Sequence, residues 1–169
     1  MPETLTALAR FNAAPDVEAE RELLSCCASR VFAAAVAAGR PYEDAERLAD
    51  AAEAAVRGLG WPDVLEALAA HPRIGERPAG PGREAAWSRR EQAGVAEETR
   101  RELAEGNRAY EDRFGHVYLV CAAGLTGAEM LARLRDRVRN DAAAERSVVR
   151  GELAAITRLR IGRLLGEAS

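Results

Sequence analysis

Not one of the 24 basic residues is a lysine; all are arginine. With the abundant alanine, this reflects coding bias and carries no functional weight. Aromatics are scarce at 5%, against 48% for the whole hydrophobic set, so alanine and leucine must fill the interior. That balance excludes a disordered or collagenous chain. Charge of either sign is nearly matched, with a formal net charge of -3. The chain therefore has no general attraction for phosphate backbones or anionic lipid, and neither a nucleic-acid nor a membrane partner is expected. No run of about 18 apolar residues occurs. The stretch from Met1 to Arg10 lacks the basic, apolar, small-residue order of a signal peptide, so a cytoplasmic location is expected.

Cysteine is equally sparse. Cys26, Cys27 and Cys121 form an odd set. Adjacent Cys26 and Cys27 suit neither mutual pairing nor a tetrahedral metal site, which points to buried reduced thiols. The motifs G-x-S-x-G, C-x-x-C, H-E-x-x-H, G-x-G-x-x-G and G-x-x-x-x-G-K are all missing. No metal and no nucleotide cofactor is expected, and any chemistry should be cofactor-free proton transfer.

What is present is helical period. The length of 169 residues fits one domain, taken here as residues 1–169. From Asp16, an N-cap candidate, apolar residues recur at helical spacing through Leu23, Cys27, Val31 and Ala38 until Gly39 and Pro41, predicting one long helix. A second stripe runs from Ala45 to Leu59. Trp61-Pro62 opens a short helix that must end near Ala70, because Pro72 biases His71 away from helical geometry.

The segment His71 to Pro81 holds three prolines and two glycines and reads as a loop. Ser88 and Glu91 have capping-box spacing before a helix that bends near Gly94 and ends at Gly115. The run from Val117 to Ala123 has strand-like composition but no partner strand, so it should be buried, extended or tightly helical, and not part of a sheet. Thr126 and Glu129 form a second capping-box pair. Asp141 caps a last helix reaching about Leu165. The expected architecture is all-α, a bundle of six to eight helices.

Three features invite chemistry. In the last helix the stripe Val149, Leu153, Ile156 is followed by Arg160, which puts a guanidinium where the pattern assigns the core. It must meet an anion, either a protein carboxylate or a ligand held in its two-pronged fork. His71, fixed by Pro72 at a helix–loop junction, suits proton transfer at neutral pH, or else is a turn histidine. Ser88 and Glu91 are explained fully as a cap, yet they also present a hydroxyl, a carboxylate and backbone N–H groups to a polar ligand, with Gln92 beside them. His116 reads as a packing histidine. Arg89, Arg90, Arg100 and Arg101 read as solvated surface, and Arg133, Arg135, Arg137 and Arg139 alternate around their helix without making a nucleic-acid stripe.

Taken in order, CCAS at Cys26–Ser29, LAAHPRIG at Leu68–Gly75, WSRREQAGV at Trp87–Val95, NRAYEDRFGHVYLV at Asn107–Val120 and ITRLR at Ile156–Arg160 resemble the 2-oxo-4-hydroxy-4-carboxy-5-ureidoimidazoline (OHCU) decarboxylase family over nearly the whole chain. The resemblance implies a compact all-α enzyme of urate breakdown that forms (S)-allantoin with loss of carbon dioxide. It further implies a functional link to urate oxidase and hydroxyisourate hydrolase, which generate the small-molecule ureido-imidazoline substrate, and it admits a homodimer.

Carried over residue by residue, the catalytic positions fall on His71, Glu91 and Arg160. The substrate-binding positions fall on Pro72, Ser88, Gln92 and the backbone of Val117 and Leu119. Ile161, Phe32 and Tyr118 depart from the usual leucine, tryptophan and phenylalanine, which bears on pocket shape and not on chemistry. This reading requires Arg160, His71 and Glu91 to face one hollow. The competing readings are a non-catalytic helical binding or regulatory module with Arg160 internally paired and, more remotely, a metal-dependent hydrolase.

Overall fold

The computed structural model describes residues 6–75, 87 and 97–166, and among them the backbone forms eight helices and no strand. They are α1 (Ala7–Ala13), α2 (Asp16–Cys26), α3 (Arg30–Ala38), α4 (Ala45–Arg57), α5 (Trp61–Leu68), α6 (Glu97–Phe114), α7 (Gly127–Arg137) and α8 (Ala142–Leu164). The all-α expectation holds. The chain divides into two units, one of Met1–Ala67 with Leu153–Ser169 and one of Leu68–Glu152.

In the first unit the long helix expected from Asp16 to Gly39 is two helices. Cys27 turns extended, with φ -153 and ψ 119, and the buried Ser29 caps α3 by accepting from the Phe32 N–H at 3.2 Å. The apolar period continues across this break and conceals it, because Cys26, Cys27, Phe32, Ala33 and Val36 are all buried. Nor is Asp16 a cap. It is the first residue of α2, after Pro15, and its carboxylate accepts from Arg40 at 2.7 Å.

Arg40 ties the ends of two helices together. Its guanidinium donates to the carbonyls of Phe11 at 2.7 Å, Ala14 at 2.6 Å and Ala37 at 2.9 Å, satisfying C-terminal acceptors that the helices themselves leave open. Helix α2 packs on α3 and α3 on α4. Along the outer side of α4, Glu46, Asp50 and Glu53 follow one another at i, i+4 and i+7, and Arg158 of α8 bonds all three. Cys26 and Cys27 are buried thiols as expected, whereas Cys121 is only partly covered.

In the second unit α6 packs against α7. A Cβ added at Gly106 would stand 2.5 Å from Leu134 Cδ2, so a larger residue there would make the Leu134 side chain move. The core beneath them gathers Ile74, Leu103, Tyr110, Tyr118, Val120 and Met130 with their neighbours. The capping box at Thr126 and Glu129 forms as expected, each side chain bonding the other residue's N–H at 3.1 Å. Asp141 accepts from the Ala144 N–H at 2.8 Å.

Candidate active site

Helix α5 ends at Leu68 because the chain turns toward Pro72, which cannot continue it. The His71 N–H still reaches back to the Leu68 carbonyl at 3.0 Å. The imidazole is partly buried, Pro72 is partly buried and Arg73 is exposed. The next residues lie along α6. Arg73 makes a two-pronged ion pair with Glu111, at 2.8 and 3.0 Å, Asn107 Nδ2 donates to the Ile74 carbonyl at 2.8 Å, and Arg100 donates to the Gly75 carbonyl at 2.6 Å. Gly75 has φ +94, and a Cβ there would stand 3.2 Å from Leu103 Cβ. The positive φ favours glycine, and the close contact leaves little room for a side chain. Arg100, expected on the surface, is thus an anchor for the loop that follows His71.

The run from Val117 to Ala122 is neither helical nor part of a sheet among the described residues. Tyr118, Leu119, Val120 and Ala122 are buried, so their backbone groups need partners. Side chains supply several of these. Arg137 donates to the Leu119 carbonyl at 2.6 Å, Glu152 accepts from the Cys121 N–H at 3.1 Å, and a His116 ring nitrogen pairs with the Val117 carbonyl at 3.1 Å. His116 also stacks on Phe114 and meets Tyr110 edge-on, the packing role expected of it. The Tyr118 hydroxyl donates to the Met130 carbonyl at 3.0 Å.

Behind this segment lies a polar cluster that sequence reasoning missed. Arg137, at the C-terminal end of α7, is 7% exposed, and Glu145, in the first turn of α8, is 0% exposed. Their bonds run from 2.5 to 3.2 Å. Glu145 also accepts from the Tyr110 hydroxyl and from Asn140 Nδ2, and the guanidinium lies 4.8 Å from the centre of the Tyr118 ring. Each charge sits at the helix end whose dipole favours it, and the pair is bonded on all sides, the condition under which a buried ion pair is tolerable. The available signal was the one read at Arg160: Arg137 follows Met130 and Leu134 on a buried stripe. Burial pushes the Tyr118 hydroxyl up to about 12 from its ordinary 10.0. Burial, and then the Glu145 carboxylate, raise Tyr110 further still.

A stability consequence follows. A phenol whose proton is held more tightly in the folded state contributes stability that is complete below about pH 10 and is lost as pH rises toward about 12. The urea midpoint is expected to fall across that window, and Tyr118→Phe to flatten the fall. A wild-type midpoint unchanged between about pH 10 and about pH 12 contradicts this.

The sequence-assigned site residues divide as follows. His71, Pro72, Val117 and Leu119 lie in the second unit and Arg160 in the first. Arg160 is 1% exposed and heads the largest fully buried side chains, as its place in the stripe predicted. Ser88, Glu91 and Gln92 lie outside the described residues. The Leu119 carbonyl accepts from Arg137. A cleft of about 420 Å³ opens on the outer side of α6, lined by Arg73, Ala104, Asn107, Arg108, Glu111 and Asp112. None of the assigned site residues lines it. Among the described residues no group of three or more His, Cys, Asp or Glu side chains is placed to hold a metal ion, and no helix is long and apolar enough to cross a membrane.

Comparison with known proteins places the chain in a family. A sequence model described as OHCU decarboxylase matches residues 12–162. The chain is 34% identical over 155 residues to the uric acid degradation bifunctional protein TTL of Arabidopsis thaliana, covering 88% of this chain and 48% of that protein. It therefore spans about half the length of that relative. It is 32% identical over 136 residues to the 2-oxo-4-hydroxy-4-carboxy-5-ureidoimidazoline decarboxylase of Amia calva, covering 78% of each. Among solved structures it superposes with a TM-score of 0.76 and 30% identity on OHCU decarboxylase crystallised in the presence of (S)-allantoin, over 91% of this chain and all of that one. An (S)-allantoin synthase shares the fold, with a TM-score of 0.71 at 20% identity over 95% of this chain and 54% of that one. With the match running from the end of α1 to the last turns of α8, through the His71 segment and Arg160, the chain belongs to the OHCU decarboxylase family.

Proposed function

We propose that this chain is a cofactor-free carboxy-lyase that converts 2-oxo-4-hydroxy-4-carboxy-5-ureidoimidazoline to (S)-allantoin in urate breakdown. The observation that carries the reading is the family match over residues 12–162. The tie of the His71 N–H to Leu68 and the bonds from α6 to the residues after Pro72 add support from the geometry.

In this reading Arg160 holds an anionic or polar part of the substrate through its fork. A guanidinium kept out of water binds a carboxylate or ring carbonyl strongly and in one orientation. Glu91 and His71 act on the hydroxyl proton next to the departing carboxylate. When the carbon–carbon bond breaks, its electron pair moves into the adjacent C=N bond, whose nitrogen takes a proton, and carbon dioxide leaves. The enol that remains returns its hydroxyl proton as the C=O forms, and the ureido-bearing carbon takes a proton on one face. His71 delivers that proton. Ser88, Gln92 and the backbone of Val117 and Leu119 hold the ureido and ring amide groups, and Pro72 forms a wall, so that the intermediate presents only one face.

The whole chain acts as one family domain, 1–169, in the cytoplasm, downstream of urate oxidase and hydroxyisourate hydrolase, with a homodimer as its assembly. The test is release of labelled carbon dioxide from freshly generated substrate carrying 13C in the carboxylate. Release faster than in buffer is expected, and a rate equal to the buffer control removes the activity. Arg160→Lys keeps a charge but loses the fork, and is expected to raise KM by about 10-fold or more, in line with a charge-assisted bond of roughly 1.5–3 kcal/mol. An unchanged KM removes Arg160 from substrate binding.

A further inference from the structure

We infer that Asn107 is a positioning residue for His71, acting through the Ile74 carbonyl, with the Arg73–Glu111 ion pair as a second point of the same clamp. The inference rests on the reading of His71 as the group that delivers the proton.

Four residues of α6, Arg100, Leu103, Asn107 and Glu111, follow at spacings of three and four and so share one face of the helix. Together they hold three consecutive residues that begin two places after His71. Glu111 holds the Arg73 side chain, Asn107 the Ile74 carbonyl and Arg100 the Gly75 carbonyl, while Leu103 sits under Gly75. On the other side the His71 N–H is tied to Leu68, and Pro72 fixes its own φ. His71 is therefore suspended between two anchored points on different helices.

Asn107 is the buried member of the clamp, at 1% exposure. Among the described residues its Oδ1 has no hydrogen-bond partner, although it too is buried. An orphaned acceptor in the interior is unfavourable, and an apolar residue of the same volume would avoid it. Asparagine at this position is explained by where its Nδ2 points, since only a donor there holds the Ile74 carbonyl. Fixing the Ile74 carbonyl fixes the chain that carries the imidazole, and a misplacement of about 1 Å in a reacting group can slow a step about 100-fold.

Asn107→Leu removes both the donor and the orphaned acceptor while conserving volume. It is expected to lower kcat about 10- to 100-fold, to leave KM within about two-fold, and to reduce the enantiomeric excess of the product, because a loosened imidazole protonates less selectively. A merely structural role would lower the melting temperature and leave kcat per folded molecule and enantiomeric excess unchanged. The partly exposed outer point permits a charge swap. Glu111→Arg alone should lower kcat and enantiomeric excess, and Arg73→Glu with Glu111→Arg should restore both. Should Asn107→Leu fail to fold, the swap decides: rescue by the double variant supports the clamp, and a fully active Glu111→Arg overturns it. If the wild type forms racemic product, the functional reading itself falls, whereas a selective wild type with an unaltered Asn107→Leu overturns the clamp alone.

Discussion

His71→Ala is expected to lower kcat by about 10²- to 10⁴-fold, the usual contribution of a positioned general acid or base, with a melting temperature close to that of the wild type. The backbone at this position has ties of its own. The N–H bonds Leu68, Pro72 sets the turn, and the anchoring on α6 begins only at Arg73. Truncating a partly exposed ring leaves all of this in place. Steady-state release of carbon dioxide, read beside a thermal melt, separates the two effects. A variant with wild-type kcat would remove His71 from the chemistry, and a variant that unfolds would mean that the ring itself holds the junction together.

The second large effect concerns stability. Arg137→Ala leaves Glu145 charged and buried, strips the Leu119 carbonyl of its donor and removes the cation from the face of Tyr118. Breaking one side of a buried pair costs about 3–5 kcal/mol, and with both side chains at most 8% exposed solvent screening does little to reduce it. Urea unfolding should show a correspondingly lower midpoint. Changing both partners, Arg137→Met with Glu145→Leu, should recover part of the loss and not all of it, because Tyr110, Asn140 and the Leu119 carbonyl would still lack partners. A loss below about 1 kcal/mol in Arg137→Ala, the size seen for solvent-exposed pairs, would mean that the cluster does not hold the Val117–Ala122 segment.

The same contrast explains how far the residues alone could be read. Helix ends written in local chemistry were legible: Thr126 with Glu129 and Asp141 with Ala144 cap where their spacing says they should. Arg160 was legible because a charge interrupts a long apolar stripe. Arg137 breaks a shorter stripe in the same way but is surrounded by other arginines, and its partner Glu145 lies in another helix, so its burial was concealed by its neighbours. The break at Cys27–Ser29 was invisible because the buried face continues through it. The isolation of the Val117–Ala122 run was readable from composition. What satisfies its backbone was not, since the donors and acceptors come from α7 and α8. Of the assigned site, His71, Pro72, Val117, Leu119 and Arg160 are placed; local pattern marked His71 and Arg160 as candidates, and the family resemblance supplied the other three and the roles in the reaction. Asn107 carried no local signal, because the Ile74 carbonyl it holds lies 33 residues away in the chain.

Because the substrate decays to allantoin unaided but without handedness, the most direct measurement is the circular dichroism of allantoin formed from fresh substrate with and without the protein. A signal of the (S) enantiomer that grows with protein concentration is the predicted result. A racemic product, indistinguishable from that of the buffer control at every protein concentration, would contradict the account.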